Sequence, residues 1–275
     1  MKKLMIIVGA MLLSIGTASA QSDNNIFTHM GASIGVGSTG ATIDLSTNIT
    51  DYVGVRVGAD IMPKIKYKTD IDINNSAELQ TQYDAWRVWY MATNPGATAP
   101  EMRVPESVDV EGKLNNITGH VLFDLYPGKN IDWHLTLGAY FGPTDVVNVY
   151  TTDDSQLLDV AKYNNWQNDP DLKIGAELGD YFLTPDNNGH VDADLKVKGF
   201  RPYVGIGWGR AVPKNHTLGF AVDLGCQFWG TPEIYLQGEK QNKSNLEGEA
   251  GGAVKTLTKI TVYPTLTFRL TGKFF

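Results

Sequence analysis

The sequence predicts an all-β protein: an eight-stranded antiparallel transmembrane β-barrel with long extracellular loops, one of which contains a short helix. Three observations favour this fold. Apolar and polar residues alternate strictly over eight segments. Aromatic residues recur eight positions apart on the apolar face, and short polar connections alternate with long ones. A soluble β-sandwich also alternates, but it has no reason to repeat the aromatic spacing.

Segment 217–230, TLGFAVDLGCQFWG, shows the alternation clearly. Its even-numbered positions from Leu218 to Phe228 are apolar, whereas its odd-numbered positions carry small or polar residues such as Asp223 and Gln227. The same pattern predicts seven further strands, at 30–36, 43–45, 53–61, 117–125, 133–141, 200–208 and 260–274. An even strand number is expected of a single-chain bacterial barrel.

Aromatic residues mark the two ends of the predicted membrane-facing surface. Trp133 and Phe141 are eight residues apart on one outward face, and two other strands repeat this spacing. Eight residues at a rise of about 3.3 Å and a tilt of about 40° span roughly 20 Å, close to the apolar band of an outer-membrane barrel. The predicted membrane girdle comprises Trp133, Phe141, Phe200, Trp208, Phe220, Phe228 and Phe274.

The connections between the strands predict which end of the barrel faces outward. Short polar turns, expected in the periplasm together with both termini, lie at 47–52, 126–132 and 212–217. Long excursions, expected outside the cell, lie at 70–109, 144–196 and 230–258. The first outer connection, at 36–41, is tight.

One segment of the first long loop has a helical period. In SAELQTQYDAWRVWYM, residues 76–91, the apolar positions Leu79, Tyr83, Trp86 and Tyr90 share one helix face, and Asn75 is the expected N-cap. This stripe is either buried on the barrel mouth or exposed as a surface for a ligand, lipid or partner. Both interpretations stay open.

The N-terminus has the three parts of a secretory signal peptide. Lys2 and Lys3 precede an apolar run, and Ala18-Ser19-Ala20 supplies the small residues of a cleavage site. We therefore expect residues 1–20 to be removed near Ala20 and residues 21–275 to form the barrel domain in the outer membrane of a Gram-negative cell.

The composition limits the partners. Without the two signal-peptide lysines, 21 basic residues face 30 acidic ones, which gives a net charge of −9. A chain this acidic is not expected to bind nucleic acid, which needs a basic face. The single cysteine, Cys226, excludes an intramolecular disulfide.

The inward faces of the predicted strands carry four charges of each sign. They are Asp44, Arg56, Asp60, Asp124, Arg201, Asp223, Arg269 and Lys273. They form either a charged pore or a plugged, salt-bridged lumen. The plugged lumen is favoured, because an eight-stranded barrel is about wide enough for its own side chains and an unpaired buried charge is costly.

The remaining motifs predict no catalytic, cofactor or metal site. GVGSTG at 35–40 matches a dinucleotide fingerprint, but an alternating segment follows it instead of a helix, so a hairpin turn is predicted. PDNNGHVDAD at 185–194 lacks the residue order of a calcium loop. His29, His120 and His134 are predicted to face the lumen, where no lipid reaches them.

The sequence resembles the small outer-membrane β-barrel proteins of the OmpW/OmpX-like group. Three motifs carry a narrower resemblance, to an uncharacterised subset: Asp124-Leu125-Tyr126-Pro127, PYVGIGWG at 202–209, and Asp223-Leu224-Gly225 followed by Gly230-Thr231-Pro232. This resemblance covers roughly residues 115–275. It implies the fold and an outer-membrane location, but little chemistry.

The expected partners follow from the location. They are outer-membrane lipid, lipopolysaccharide and the barrel-assembly machinery. Substrates of that machinery usually end in an aromatic residue, and the last residue of this sequence is Phe275. Lys64, Lys66 and Lys68, on the lumen-facing period past the third strand, either meet lipopolysaccharide phosphates or form a solvated strand end. We expect a monomer.

Three functions remain open on the sequence alone. The first is a structural or binding barrel with a plugged lumen, whose long loops meet outside partners or small apolar ligands. The second is a narrow channel or a lateral path for a small or hydrophobic solute. The third and least favoured is a lipid A-modifying enzyme, because no nucleophile and base pair assembles.

Overall fold

A computed structural model of the chain describes residues 29–114, 117–178, 181–214, 216–240 and 261–274. The expected signal peptide and Phe275 lie outside these residues. Numbered along the chain, the strands are β1 (Met30–Gly37), β2 (Gly40–Thr50), β3 (Val53–Ile61), β4 (Ile65–Asp72), β5 (Ser107–Leu114), β6 (Ile117–Leu125), β7 (Trp133–Phe141), β8 (Asp145–Thr151), β9 (Ala176–Leu178), β10 (Tyr181–Leu183), β11 (Asp192–Lys196), β12 (Phe200–Trp208), β13 (Leu218–Phe228), β14 (Glu233–Leu236), β15 (Glu239–Lys240) and β16 (Val262–Lys273).

Eight of these strands form a closed antiparallel barrel in the order β1-β16-β13-β12-β7-β6-β3-β2. The predicted fold class and strand number are therefore confirmed. Pairing of β1 with β16 closes the barrel and places Gly31 opposite Lys273, so both ends of the barrel chain lie at one end of the barrel. The GVGSTG segment is the end of β1 and the predicted turn into β2, where Gly40 adopts a φ of 103° that favours glycine.

Above the barrel lies a second sheet that the sequence analysis did not predict. Its order is β15-β14-β11-β8-β5-β4, and we call these six strands the distal sheet. Five of them continue barrel strands in the same order, because β4, β5, β8, β11 and β14 adjoin β3, β6, β7, β12 and β13 along the chain. Backbone hydrogen bonds cross the junction, from Gly142 to Gly199 and from Lys198 to Trp229. One side of the barrel wall thus extends upward, while β16, β1 and β2 end at the rim.

Two α-helices, α1 (Ala77–Thr93) and α2 (Leu158–Trp166), lie in the described parts of the long connections. The predicted helix corresponds to α1, whereas α2 was not predicted. The N-cap of α1 is Ser76 and not Asn75, because the Ser76 hydroxyl accepts the Leu79 N–H at 3.2 Å. Among the described helices, none has the length and apolar character needed to cross a membrane.

The apolar stripe of α1 is buried in the core of the distal sheet. Leu79, Tyr83 and Trp86 are 4, 1 and 1% exposed, and Tyr90 packs against the same cluster. The Tyr163 ring of α2 lies 5.6 Å from that of Tyr83 and 5.8 Å from that of Trp86. The interpretation of these four residues as a ligand or partner surface is therefore wrong. The stripe packs between α2 and the sheet, and not on the barrel mouth.

Candidate functional site in the barrel lumen

Alternation along the barrel strands directs every second side chain into the lumen. This brings six of the eight predicted charged residues together below the distal sheet. All six are buried: Asp44, Arg56, Asp60, Asp124, Asp223 and Arg269. Burial of so many charges is tolerated only if they are paired, so their contacts decide what the lumen can do.

Two arginines tie the carboxylates together across the lumen. Arg56 donates from Nε and Nη2 to the two carboxylate oxygens of Asp124, each at 2.8 Å, and from Nη2 to Asp223 Oδ1 at 3.1 Å. Arg269 donates to Asp223 Oδ2 from Nε at 2.8 Å and from Nη2 at 2.6 Å. Its Nη1 lies 3.8 Å from Asp44 Oδ2. The result is a continuous chain of ion pairs that joins β6, β3, β13, β16 and β2.

Two histidines complete this network. His120 Nε2 lies 2.7 Å from Asp44 Oδ1, and its Nδ1 lies 3.1 Å from Asp60 Oδ2. Carboxylate oxygens only accept, so both ring nitrogens must donate and the ring is an imidazolium. His134 lies between Asp223 Oδ1, 3.0 Å from its Nε2, and the carbonyl of Asp132, 3.4 Å from its Nδ1. Four carboxylates therefore face two guanidinium groups, the His120 imidazolium and the His134 ring.

Arg201 and Lys273 do not belong to the network, which corrects the predicted set. Arg201 is buried at the distal end of β12, and its Nε and Nη2 donate to the backbone carbonyls of Lys198 and Pro143. Lys273 is half-buried at the opposite end, where β16 stops. Both residues have lumenal parity, but their positions along the strands place them beyond the level at which the charges meet.

Small and hydroxyl residues at lumenal positions fit the network into the barrel. A Cβ on Gly207 would lie 2.5 Å from His134 Nε2 and 2.8 Å from Asp223 Oδ1, so only glycine leaves room there. Ser33 Oγ and Thr136 Oγ1 each donate at 2.8 Å, to Asp44 and Asp124 respectively. Sequence reasoning missed these supporting residues, although the small and polar character of the lumenal positions was a visible signal.

The turn between β12 and β13 fills the end of the lumen opposite the distal sheet. Ala211 and Val212 are fully buried there. The Ala211 N–H donates to Tyr126 Oη at 2.9 Å, and its carbonyl accepts from Ser46 Oγ at 2.8 Å. Arg210 stacks on the Tyr126 ring at 4.4 Å and donates to three backbone carbonyls of the neighbouring turn. The predicted polar turn 212–217 is therefore partly a plug.

Asp124, His134 and Asp223 could offer three metal ligands, with ligand atoms within 4.8 Å of one another. Arg56 and Arg269 already donate to these carboxylates, and His134 Nε2 contacts Asp223. A metal ion would have to displace the chain's own cations. The donor set therefore does not fit a metal centre.

The seven predicted girdle residues all lie outside the barrel, with exposures from 41 to 63%. Trp133 pairs with Trp208 near the turn end, and Phe141 pairs with Phe200 near the distal end, with ring centroids 5.4 Å apart. The other three lie at these same two levels: Phe220, Phe228 and Phe274.

The lysines after the third strand do not face the lumen. On β4 the odd-numbered Ile71 is buried in the distal core, so Lys66 and Lys68 lie on the opposite, outer face. Lys66 Nζ donates to Glu111 Oε1 at 2.7 Å. Even-numbered side chains of β3 face the lumen, whereas odd-numbered Ile71 of β4 faces the core, so the alternation shifts by one residue in the linker 62–64.

No protein-family model and no curated protein match this chain. Among solved structures, it is similar to CarO2 of Acinetobacter baumannii at 15% identity and a TM-score of 0.44, over 90% of this chain and 99% of that one. It is similar to CarO of the same organism at 14% identity and a TM-score of 0.44, over 92% and 100% of the two chains. Such distant likeness assigns no function, and the resemblance to the OmpW/OmpX-like group stays a prediction.

Proposed function

We propose that this protein is an outer-membrane β-barrel with a closed lumen, whose distal sheet serves a binding role outside the cell. The observation that carries the proposal is the inverted polarity of the barrel. Its interior holds paired charges, whereas its exterior is apolar. A lipid environment favours this arrangement, and water disfavours it.

The apolar exterior supports membrane insertion. Soluble monomers rarely expose contiguous apolar patches of more than a few hundred Å². Here every barrel strand exposes a large apolar side chain, including Ile34, Ile43, Ile61, Phe123, Leu137, Ile206, Leu224 and Phe268. The barrel is expected to migrate faster on a gel before heating than after it. Release from membranes by carbonate or high salt would contradict insertion.

The signal peptide remains part of the proposal. Mass spectrometry of the protein isolated from membranes is expected to show an N-terminus at Gln21. A protein that retains Lys2 and Lys3 would be anchored by its N-terminal segment instead.

The lumen supports a non-conducting barrel. Ion pairs bridge it from β3 to β13, and the turn at Ala211 and Val212 fills one end. In planar lipid bilayers, the purified protein is expected to give no single-channel steps under conditions in which a general porin conducts. Reproducible steps would favour the alternative of a narrow channel.

A non-enzymatic role completes the proposal. The lumenal His120 and His134 are bonded to carboxylates, which leaves them no nucleophile to activate. Lipid A from a deletion strain and from its complemented strain is expected to have the same mass spectrum. A mass difference restored by complementation would establish lipid modification.

A further inference from the structure

A cavity of about 360 Å³ lies where the barrel lumen meets the distal sheet. Leu114, Val147 and Leu195 line it from three adjacent strands, β5, β8 and β11. The rings of Trp229 and Tyr263, with centroids 5.0 Å apart, line it from the barrel rim. Its volume and predominantly apolar lining match those of small-molecule sites.

One buried cation lines this cavity without a carboxylate partner. Arg201 is 1% exposed, and within the described residues its guanidinium donates hydrogen bonds to two neutral backbone carbonyls. Within the described ranges, no carboxylate oxygen lies within 4.0 Å of its guanidinium, in contrast to Arg56, Arg269 and Arg210. A buried charge without a counterion is costly, so an anion in the cavity would stabilise it.

A second polar group points to the same ligand chemistry. The hydroxyl of Thr39, a buried residue of the β1–β2 turn, lines the cavity and has no hydrogen-bond partner among the described residues. The buried Gln227 amide also lines the cavity. A purely apolar ligand would leave the Arg201 charge without a counterion and the Thr39 hydroxyl without a partner, whereas a carboxylate offers acceptors for both.

We propose that this cavity binds a small monocarboxylic acid with an apolar body. The carboxylate pairs with Arg201, and the apolar body lies between the aliphatic wall of the distal sheet and the Trp229 and Tyr263 rings. The planar guanidinium suits a carboxylate, because the two can form parallel charge-assisted hydrogen bonds. The inference rests on the proposed binding role and names its ligand class.

The test uses 2-naphthoate as the probe and its neutral analogue 2-naphthamide as the matched ligand, with the full protein in lipid nanodiscs. Calorimetry is expected to show binding of naphthoate and at least tenfold weaker binding of naphthamide. Arg201→Gln is expected to weaken naphthoate binding at least tenfold and to leave naphthamide binding unchanged. Arg103→Gln, which removes an exposed positive charge elsewhere, is the control and should change neither.

Absence of naphthoate binding, equal binding of the two ligands, or unchanged binding in Arg201→Gln would overturn the inference. Because Arg201 also bonds the backbone, Val147→Trp provides a second route, since it fills the cavity from the distal sheet. A Val147→Trp protein that keeps its heat-dependent gel shift but still binds naphthoate would also overturn it. If the protein does not conduct and shows the heat-dependent gel shift but does not bind naphthoate, only the proposed ligand site is refuted. If the protein conducts, the closed lumen is refuted.

Discussion

The barrel and the distal sheet are built from the same stretches of chain but have opposite polarity. In the barrel, β6 directs the charged His120 inward and Phe123 outward. In the distal sheet, the adjoining β5 directs Val110 into an apolar core and pairs Glu111 with Lys66 on its outer face. The inversion takes place within a few residues of the junction. The inversion is what we expect if the barrel lies in lipid, as proposed, and the distal sheet lies in water.

The difference extends to the source of stability. With the barrel in lipid, as proposed, apolar side chains gain little by leaving their surroundings, so cohesion of the barrel is expected to depend on the closed hydrogen-bonded ladder and on the paired charges. In water, cohesion of the distal sheet depends on burial of apolar surface. The two regions should therefore respond differently to the same kinds of substitution.

The largest effect is expected from Arg56→Ala in the lumen. Two carboxylates, Asp124 and Asp223, lose a buried partner at once, which should destabilise the barrel by about 3–5 kcal/mol. The measurement is the temperature at which the compact gel band is lost. Arg56→Lys keeps the charge but not the bidentate geometry, so its effect should be intermediate. An unchanged transition in Arg56→Ala would show that the network is not a source of cohesion.

Trp86→Ala should destabilise the distal sheet by about 3–5 kcal/mol, because this side chain packs in the core against Tyr83, Tyr90 and Tyr163. The barrel should be unaffected. Limited proteolysis is expected to cleave the connection 70–109 faster, while the heat-dependent gel shift persists. Loss of that shift would mean that the two regions unfold as one unit.

A charge at an exposed position of each region tests the inversion directly. Leu137→Arg, midway between the two aromatic levels of the barrel, should cost about 2–4 kcal/mol. Tyr67→Arg, at an exposed position of β4, should change stability by no more than about 0.5 kcal/mol. Chemical unfolding in lipid vesicles measures both. Equal costs would contradict different media for the two regions.

The smallest effect is expected in the stability of the distal sheet at acidic pH. Hydrogen bonds from Lys66 and Tyr150 hold the pKa of Glu111 below its usual value of 4.5. A lowered folded-state pKa stabilises the fold above pH 4.5, and this contribution is lost as the pH falls through the lowered value. Glu111→Gln should therefore reduce the acid-induced drop in the unfolding temperature of the distal sheet, measured by limited proteolysis of the connection 70–109 at increasing temperature. An identical drop in both proteins would show that Glu111 contributes nothing.

The barrel could be predicted from sequence because its apolar outer face and its polar lumen impose a strict period of two on strands about nine residues long. Most of the distal strands are shorter than the barrel strands, so a period expected of membrane-spanning strands does not identify them. The signal was present in β11, where Ala193 and Leu195 alternate with Asp192, Asp194 and Lys196. The alternation of short and long connections identifies the outer loops, but it does not reveal the strands within them.

The lumenal site could be predicted in part. Strand parity identifies which charges face inward, so six of the eight residues are found in the network. Parity does not give the position of a residue along the barrel axis. Arg201 and Lys273, which lie at opposite ends of the barrel, therefore cannot be separated from the other six residues by parity alone. The predicted lumenal histidines, His120 and His134, contact carboxylates of the network in their place.

The bonds that cross the lumen also constrain the order of assembly. Asp223 accepts from Arg56, which lies 167 positions earlier, and Ser46 reaches the carbonyl of Ala211 across 165 positions. Until β13 and β16 join the earlier strands, Arg56 and Asp44 lack part of their partners, and an unpaired charge is costly wherever water is excluded. Closing the barrel therefore also completes the pairing of the lumenal charges. For the proposed location in a membrane, we expect strand closure and insertion to take place together.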